Sequence, residues 1–374
     1  MKKMIGVGIG FLVFPWLVSL AFTGTAKERQ AESFPAAEEV RMTDAEPEPQ
    51  KSDTAKTDAE KNAVSAQAEA AEAAGAAGAA GAAGAAGTAE AGQGTTLEQG
   101  GNAQFRQRRI IVERDGLRTY MDLEDYLPGV IVCQIDPDSG LEALKCQAVI
   151  ARTYLCRLMD GRREIEEEEL DLDYLEEGQK NRRWDKEKTI RNLERCRQAA
   201  AETAGVVMQY EEREILPLFH AANGGRTRTG DQDCPYLQSV ESRWDTEDPL
   251  YRQTMEYGFA EFADKISQIP DAVPVSADQL PSQIQIVKKD EAGYVLQIKI
   301  GAKTYTGEEV QYALELPSAC YAFNENGDKI QALVKGSGHG YGMSQSGARA
   351  MAAEGWSYED ILNYYYKNIS LISE

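Results

Sequence analysis

The chain has 374 residues, and its 40 Lys plus Arg against 61 Asp plus Glu give a formal net charge of -21. So large an acidic excess is a poor match for a polyanion, and it argues against nucleic acid as a partner. Hydrophobic residues make up 42% of the chain, an ordinary value for a globular protein, but they are distributed unevenly. We therefore expect only part of the chain to fold.

The N-terminal segment, residues 1–26, has the length and polarity of an export signal. No charged residue lies between Met4 and Ala26, and two lysines precede this run. As a helix the run would be roughly 34 Å long, enough to cross a bilayer core of about 30 Å. The segment predicts a single-pass protein of the cell membrane with an extracytoplasmic C-terminal domain. The alternative is a cleaved signal, in which Gly24 and Ala26 form a small-residue cleavage site before Lys27 and the remainder is secreted.

Residues 27–104 have the composition of a disordered linker. They are rich in Ala, Glu and Gly and contain five consecutive Ala-Ala-Gly triplets from Ala73 to Gly87. Such a segment cannot bury enough apolar surface to offset the entropy lost on folding. Glycine at every third position is typical of collagen, but the triplets lack the prolines that support a triple helix. We expect a flexible tether.

The remaining residues, 105–374, are predicted to form an α+β domain of mixed helices and β-sheet. Apolar residues recur at three- and four-residue spacing between Leu141 and Leu158, which predicts a helix that begins with a capping box of Ser139 and Glu142. The other expected elements are a strand at 109–113, an apolar run at 121–132 after it, a helix at about 187–204, a hairpin at 206–220, a small β-rich insertion at about 255–335, and helices at about 344–354 and 357–366.

An acidic stretch interrupts the domain between Glu164 and Glu177, where nine of fourteen residues are Asp or Glu. Calcium binding is one interpretation. However, the spacing differs from that of an EF-hand loop, and no glycine provides its sharp turn. The pattern favours a solvated insertion over a calcium site.

The chain has two histidines, His220 and His339, and both lie beside glycine-rich sequence. In 336–342 glycine occupies every second position, which lets a backbone approach a ligand closely. For His339 we consider a ligand-contacting or catalytic-support role and, as the alternative, a structural hydrogen bond. The same two alternatives stand for His220. The glycine spacing matches neither the dinucleotide-binding nor the P-loop pattern.

Three segments resemble the signatures of the family of stage II sporulation protein D and the amidase enhancer LytB. The first is Tyr126–Tyr154, which includes Tyr-Leu-Pro-Gly and Leu-Lys-Cys-Gln-Ala-Val-Ile-Ala-Arg-Thr-Tyr. The second is His220-Ala-Ala-Asn-Gly-Gly-Arg-Thr227, followed by Pro235-Tyr-Leu237. The third is Gly338-His-Gly-Tyr-Gly-Met-Ser-Gln-Ser-Gly-Ala348. The segments occur in the family's order, and the resemblance extends from about residue 109 to the end.

This resemblance implies a sporulation protein that acts on peptidoglycan during engulfment of the forespore. Family members that are enzymes are lytic transglycosylases, which cut glycan strands without stem peptides and leave a 1,6-anhydro end. One carboxyl group can perform this reaction. As an acid it protonates the glycosidic oxygen, and as a carboxylate it then accepts a proton from the sugar hydroxyl that closes the anhydro ring.

The chain departs from the family's pattern at the catalytic position. Counting from Gly129 and back from Lys145, the family's glutamate falls on Gln134, and an amide does not titrate. The nearest carboxyl is Asp136, which in an extended segment would lie roughly 6 to 7 Å further along on the same side. Asp136 is thus either a substitute acid or a polar turn residue before Pro137. Whether the chain is an enzyme stays open at this point.

The motifs also contain the residues that we expect to bind substrate. These are Lys145, Gln147, Arg152, His339, Gly340, Ser344 and Gln345. We expect glycan strands of peptidoglycan as the partner, and a cell-wall amidase or other engulfment proteins as further ones. Three hypotheses follow: a catalytically impaired glycan-binding protein, an active lytic transglycosylase with another carboxyl, and a non-enzymatic amidase enhancer or membrane-to-wall anchor.

The cysteines could pair or bind metal. There are six, and in an exported protein they allow fifteen disulfide connectivities, among which sequence cannot choose. Some relatives hold zinc through a histidine and cysteines near the second motif, so His220 and Cys234 are weak candidates. No Cys-x-x-Cys spacing supports zinc, and we expect no cofactor.

Overall fold

The computed structural model describes residues 108–175, 184–280 and 282–373. The predicted anchor at 1–26 and the predicted linker at 27–104 lie outside these residues. The helices are α1 Leu123–Gln134, α2 Leu141–Met159, α3 Lys186–Glu202, α4 Phe259–Ser267, α5 Gly307–Ala313, α6 Gln345–Ala353 and α7 Tyr358–Tyr365. The strands are β1 Arg109–Arg114, β2 Leu117–Asp122, β3 Glu164–Glu166, β4 Val206–Tyr210, β5 Arg213–Glu214, β6 Phe219–His220, β7 Arg252–Gly258, β8 Ile284–Lys289, β9 Val295–Ile300, β10 Lys303–Thr306, β11 Tyr321–Asn326, β12 Lys329–Lys335, β13 Met343–Ser344 and β14 Ser370–Ser373. The mixture of helices and several sheets agrees with the predicted α+β class.

The length and polarity of the helices correct the predicted location in the cell membrane. Within 108–175, 184–280 and 282–373, no helix has both the length and the apolar character needed to cross a membrane.

Helix α1 leads into the candidate site and corrects the prediction for residues 121–132. The sequence predicted an apolar run there without a helix, and Leu123–Gln134 is helical, with Pro128 in its interior. Nine of its residues are buried, including every position from Tyr126 to Val132. Because the helix is buried on nearly all sides, its apolar residues show no helical period.

The principal core surrounds α2, whose amphipathic pattern is as predicted. The prediction of a capping box at its start, however, is wrong. Gly140, at φ +89°, is the N-cap and no side chain caps the helix. The carboxylate of Glu142 instead binds the ammonium of Lys145 at 2.7 Å and accepts the backbone N–H of Tyr358 at 2.8 Å. Glu142 thus joins α2 to the start of α7.

Two short strands bring the second and third motifs together. The predicted hairpin is present only in part, because β4 pairs with β5 and with β14, both antiparallel. Strand β6 pairs instead with β13 in parallel, with Phe219 opposite Met343 and His220 opposite Ser344. This pairing joins residues more than a hundred positions apart and sets the motifs side by side.

A second hydrophobic cluster lies between residues 257 and 334. Its sheets are ordered β11-β12-β7 and β10-β9-β8, with α4 and α5 packed against them. Tyr294, Tyr305 and Tyr321 are among its fully buried side chains. This part of the chain corresponds to the β-rich insertion expected at about 255–335, whose boundaries stay a prediction.

Arginines neutralise much of the acidic stretch. Arg114 binds the carboxylate of Glu167 with both terminal nitrogens, and four carboxylates of the stretch are each paired with an arginine. Tyr174 stacks on Tyr126 at 4.4 Å between ring centroids and covers Gly129, where a Cβ would lie 2.2 Å from the tyrosine ring. The described part of the stretch is therefore packed over α1.

Candidate functional site

Three glutamines from two of the motifs meet at the end of α1. Gln134 is 9% exposed, and its Oε1 accepts a hydrogen bond from Nε2 of Gln147 at 2.8 Å. Nε2 of Gln345 donates to the backbone carbonyl of Gln134 at 2.8 Å and to Oε1 of Gln147 at 3.1 Å. Predicted site residues from α1, α2 and α6 are therefore in direct contact.

The backbone carbonyl determines how all three amides are oriented. A carbonyl only accepts, so Gln345 must turn its Nε2 towards the oxygen of Gln134. The same nitrogen then requires an oxygen from Gln147, which leaves the nitrogen of Gln147 to donate to Gln134. The Nε2 of Gln134 is at the end of this series and has no hydrogen-bond partner among the described residues. Gln134 therefore presents a free amide donor.

The buried carboxylate of Asp245 binds the residue next to the glutamine cluster, Ser344. It is 0% exposed and lies in a 3₁₀ turn, Arg243–Glu247. Its carboxylate accepts from the backbone N–H of Asn223 at 3.0 Å and from the Asn223 side chain at 3.1 Å. It also accepts from the hydroxyls of Ser242 and Ser344. Since Ser344 is the N-cap of α6 and precedes Gln345, Asp245 links the second motif to the glutamine cluster.

The environment of Asp245 makes its carboxyl group unusually basic. Burial raises its pKa to about 6, although the hydrogen bonds from Ser242 and Ser344 act in the opposite direction. The charge of Asp248 nearby raises the pKa further. Asp245 lies outside the three motifs and was not among the predicted site residues. Asn223, its partner within the second motif, was the one available signal.

The alternating glycines are closely packed against neighbouring protein atoms. A Cβ at Gly342 would lie 1.8 Å from the carbonyl oxygen of Leu218, and one at Gly340 would lie 2.4 Å from the ring of Tyr294. Both have positive φ, at +69° and +81°. The loop needs glycine because neighbouring protein atoms occupy the space that side chains would fill.

The two histidines are neighbours, with ring centroids 5.8 Å apart. His220 contacts the carbonyl of Tyr341 through Nδ1 at 3.0 Å, and burial lowers its pKa to about 3. Nδ1 of His339 accepts from the backbone N–H of Tyr341 at 3.1 Å, and burial followed by the charge of Arg228 lowers its pKa to about 4. Both rings are therefore neutral at physiological pH, and each has the structural hydrogen bond that the sequence analysis gave as the alternative.

The described residues do not form a zinc site. In the part of the chain that the structure describes, no three His, Cys, Asp or Glu side chains are grouped so that they could hold a metal ion. The sulfur of Cys234 accepts a hydrogen bond from the hydroxyl of Tyr236 at 3.4 Å. Cys146, Cys196, Cys234 and Cys320 are free thiols. His220 and Cys234 thus do not fit the metal that the resemblance implied.

Two of the residues expected to bind substrate, Arg152 and Lys145, form ion pairs with other side chains of the protein. Arg152 is 0% exposed and forms a two-point ion pair with Glu124, at 2.7 and 2.8 Å. Its remaining donors bind Thr203 and the carbonyls of Val206 and Ala200. The ammonium of Lys145 lies 2.7 Å from a carboxylate oxygen of Glu142 and the same distance from one of Glu202.

Asp136 has the geometry of a turn. Gln134 is the last residue of α1, so the extended segment that would direct both side chains to one side does not begin until Ile135. Asp136 is exposed, and its carboxylate accepts the backbone N–H of Asp138 at 3.0 Å. This arrangement matches the interpretation of Asp136 as a turn residue before Pro137.

Comparison with known proteins places these observations in a family. A family model described as Stage II sporulation protein matches residues 115–210, the segment with Gln134 and Gln147. The stage II sporulation protein D of Bacillus subtilis is 31% identical over 261 residues, which cover 67% of this chain and 74% of the relative. The chain belongs to the SpoIID/LytB family.

Further relatives agree with this assignment. The stage II sporulation protein D of Bacillus amyloliquefaciens is 30% identical, with the same coverage of both chains. The amidase enhancer of Bacillus subtilis is 24% identical over 66% of this chain and 40% of its own length. The chain is accordingly a sporulation cell-wall protein related to the amidase enhancer.

Proposed function

We propose that this sporulation protein binds glycan strands of peptidoglycan and does not cleave them. The observation that supports the proposal is the amide at Gln134, in the position where the family resemblance implies a catalytic glutamate. Lytic cleavage needs one group that gives a proton and then takes one back. An amide does neither, and the carboxylate of Asp136 accepts a local hydrogen bond from the backbone N–H of Asp138.

The same amide can still recognise a sugar. Because Gln147 occupies Oε1 of Gln134, the group offered to a ligand is the Nε2 donor. Oxygen atoms of a glycan strand, such as acetamido carbonyls and ring or bridging oxygens, are matching acceptors. A hydrogen bond of this kind contributes about 0.5–1.5 kcal/mol, so binding would depend on several such contacts.

The experiment measures binding and cleavage together. Full-length protein is incubated with glycan strands freed of stem peptides, bound strands are quantified by sedimentation, and released sugars are analysed for anhydro ends by mass spectrometry. We expect binding without anhydro products. Gln134→Ala should weaken binding about three- to tenfold, which corresponds to one lost hydrogen bond. Gln311→Ala, at a buried glutamine of α5 in the second cluster, is the matched control and should bind normally. Anhydro products released by the wild-type chain would overturn the proposal.

The relation to the amidase enhancer favours a second candidate function, the stimulation of a cell-wall amidase. Here the protein would raise the amidase's activity on intact peptidoglycan, whereas it would release nothing by itself. The test adds the protein to an amidase and measures the release of stem peptides. No change in that rate would eliminate this candidate and leave the glycan-binding proposal as it stands.

A further inference from the structure

Two cationic side chains lie opposite each other on neighbouring strands, and neither is paired with a carboxylate that the structure describes. Arg252 of β7 is directly opposite Lys335 of β12 in the antiparallel register, and both side chains are exposed. Like charges in this arrangement repel and destabilise the strand pair. Among the described residues neither cation forms an ion pair with a carboxylate. An anion bound between them would relieve the repulsion.

An aromatic ring lies beside the same two cations. The guanidinium of Arg252 is 5.5 Å from the ring centroid of Tyr251, and the ammonium of Lys335 is 6.0 Å from it. Both distances are near the limit for attraction between a cation and an aromatic ring, about 6 Å. Next to the ring is an open cavity of about 450 Å³, lined by Thr246, Asp248, Pro249, Tyr251 and Arg252. Pockets for small ligands have volumes of roughly 300–1,000 Å³.

This cavity adjoins the glutamine cluster. The carboxylate of Asp248 accepts hydrogen bonds from the hydroxyl of Ser346 and from Arg349, and Ser346 directly follows Gln345. The second motif also reaches the cavity, since a Cβ at Gly225 would lie 3.6 Å from the hydroxyl of Tyr251. The backbone N–H of Gly336 donates to the carbonyl of Tyr251 at 3.0 Å. The cavity therefore borders both glycine-rich loops.

We propose that this cavity is a subsite for an acidic sugar, with its ring against Tyr251 and its carboxylate bound by Arg252 at the cavity wall and by Lys335, which lies outside the lining and opposite Arg252. The one carboxylate of the lining, Asp248, is paired with Arg349. The inference rests on the proposed function and names the sugar of the strand that the cavity selects. A glycan strand without stem peptides carries a carboxylate on every second sugar, on the lactyl ether of muramic acid. Two cations match that charge, and arginine can bind a carboxylate through two parallel hydrogen bonds. Tyrosine and proline provide an apolar surface for the sugar ring.

The experiment compares an acidic ligand with a neutral one. Full-length wild-type protein and the Arg252→Ala/Lys335→Ala variant are titrated with stem-peptide-free glycan strands and with chitin oligomers, which lack the carboxylate. We expect wild-type protein to bind the acidic strands about tenfold more tightly. The variant should lose this preference, and its affinity for chitin oligomers should stay within about twofold of wild type. Both substituted residues are exposed, and thermal melting checks that the variant folds. Relief of the repulsion should leave the melting temperature equal or higher.

A matched control uses another surface cavity, of about 580 Å³, which Lys299 helps to line. Lys299→Ala should keep the preference for acidic strands. If wild-type protein binds both ligands and the double variant retains the preference, the subsite is refuted and the glycan-binding proposal survives. If wild-type protein binds neither ligand, the glycan-binding proposal is refuted and the subsite with it. The single variant Arg252→Ala gives the same comparison with a smaller perturbation, and an unchanged preference there also counts against the subsite.

Discussion

Asp245→Asn provides a quantitative test of the buried network behind the glutamine cluster. Burial raises the pKa of Asp245 from 3.8 to about 6, so the folded state holds the proton over a pH range in which the unfolded state has released it. Stability from this group is therefore complete below about pH 4 and is lost as pH rises to 6. A difference of about two pKa units corresponds to roughly 3 kcal/mol of unfolding free energy.

The asparagine variant cannot titrate, so it lacks this dependence. We expect the unfolding free energy of wild type, minus that of Asp245→Asn, to fall by roughly 3 kcal/mol between about pH 3 and pH 7. Contributions from His220 and His339 are common to both proteins and cancel in the difference. The assay is urea unfolding of the full chain at several pH values, followed by tryptophan fluorescence. Asp138→Asn, which removes an exposed ion pair with Arg195, is the control. A constant difference between wild type and Asp245→Asn across this range would refute the argument.

Two further predictions concern Gln134 and the glycine-rich loop. Gln134→Glu should fold with a stability within about 2 kcal/mol of wild type, because the Nε2 of Gln147 can donate to a carboxylate as well. Partial burial would raise the pKa of the new acid, and mass spectrometry should then detect anhydro ends on released sugars. A glutamate variant that binds strands and releases no anhydro ends would show that restoring this one carboxyl group is insufficient for cleavage. Gly342→Ala should cost roughly 2–4 kcal/mol, since its Cβ would collide with the Leu218 carbonyl at positive φ. Gly355→Ala also has positive φ but nothing within 4 Å, and should cost only about 1 kcal/mol. Equal losses in thermal or urea unfolding would contradict the steric explanation.

Local signals predicted the helices that have one apolar face. Helix α2 shows the expected period, and α6 and α7 begin after Ser344 and Ser357, whose hydroxyls accept backbone N–H groups of the first turn. The same rules failed for α1, where burial on nearly all sides removes the period. They also failed for β6, because its partner β13 is distant in sequence and pairing over such a separation leaves no local pattern.

The site was predictable only where the motifs supplied it. Resemblance selected Gln134, Gln147 and Gln345, but the direction of their hydrogen bonds follows from a backbone carbonyl that only the fold brings into contact. Arg152 was selected for the same reason, yet it is fully buried and forms an ion pair with the partly exposed Glu124. Asp245 lies outside the motifs and its partners come from three separate parts of the chain, so only Asn223, in the second motif, was an indirect signal for it.

The orientation of the glutamine cluster explains how one residue could decide between cleavage and binding. Gln147 donates to position 134 whether that position holds an amide or a carboxylate, and Gln345 contacts only the backbone there. Neither neighbour would need to change for a glutamate to fit. With glutamate, the outward atom is an oxygen that can carry a proton; with glutamine, it is a nitrogen that can only donate a hydrogen bond. The surrounding network therefore preserves the geometry at position 134, and the chemistry of the proposed glycan site depends on the single outward atom of residue 134.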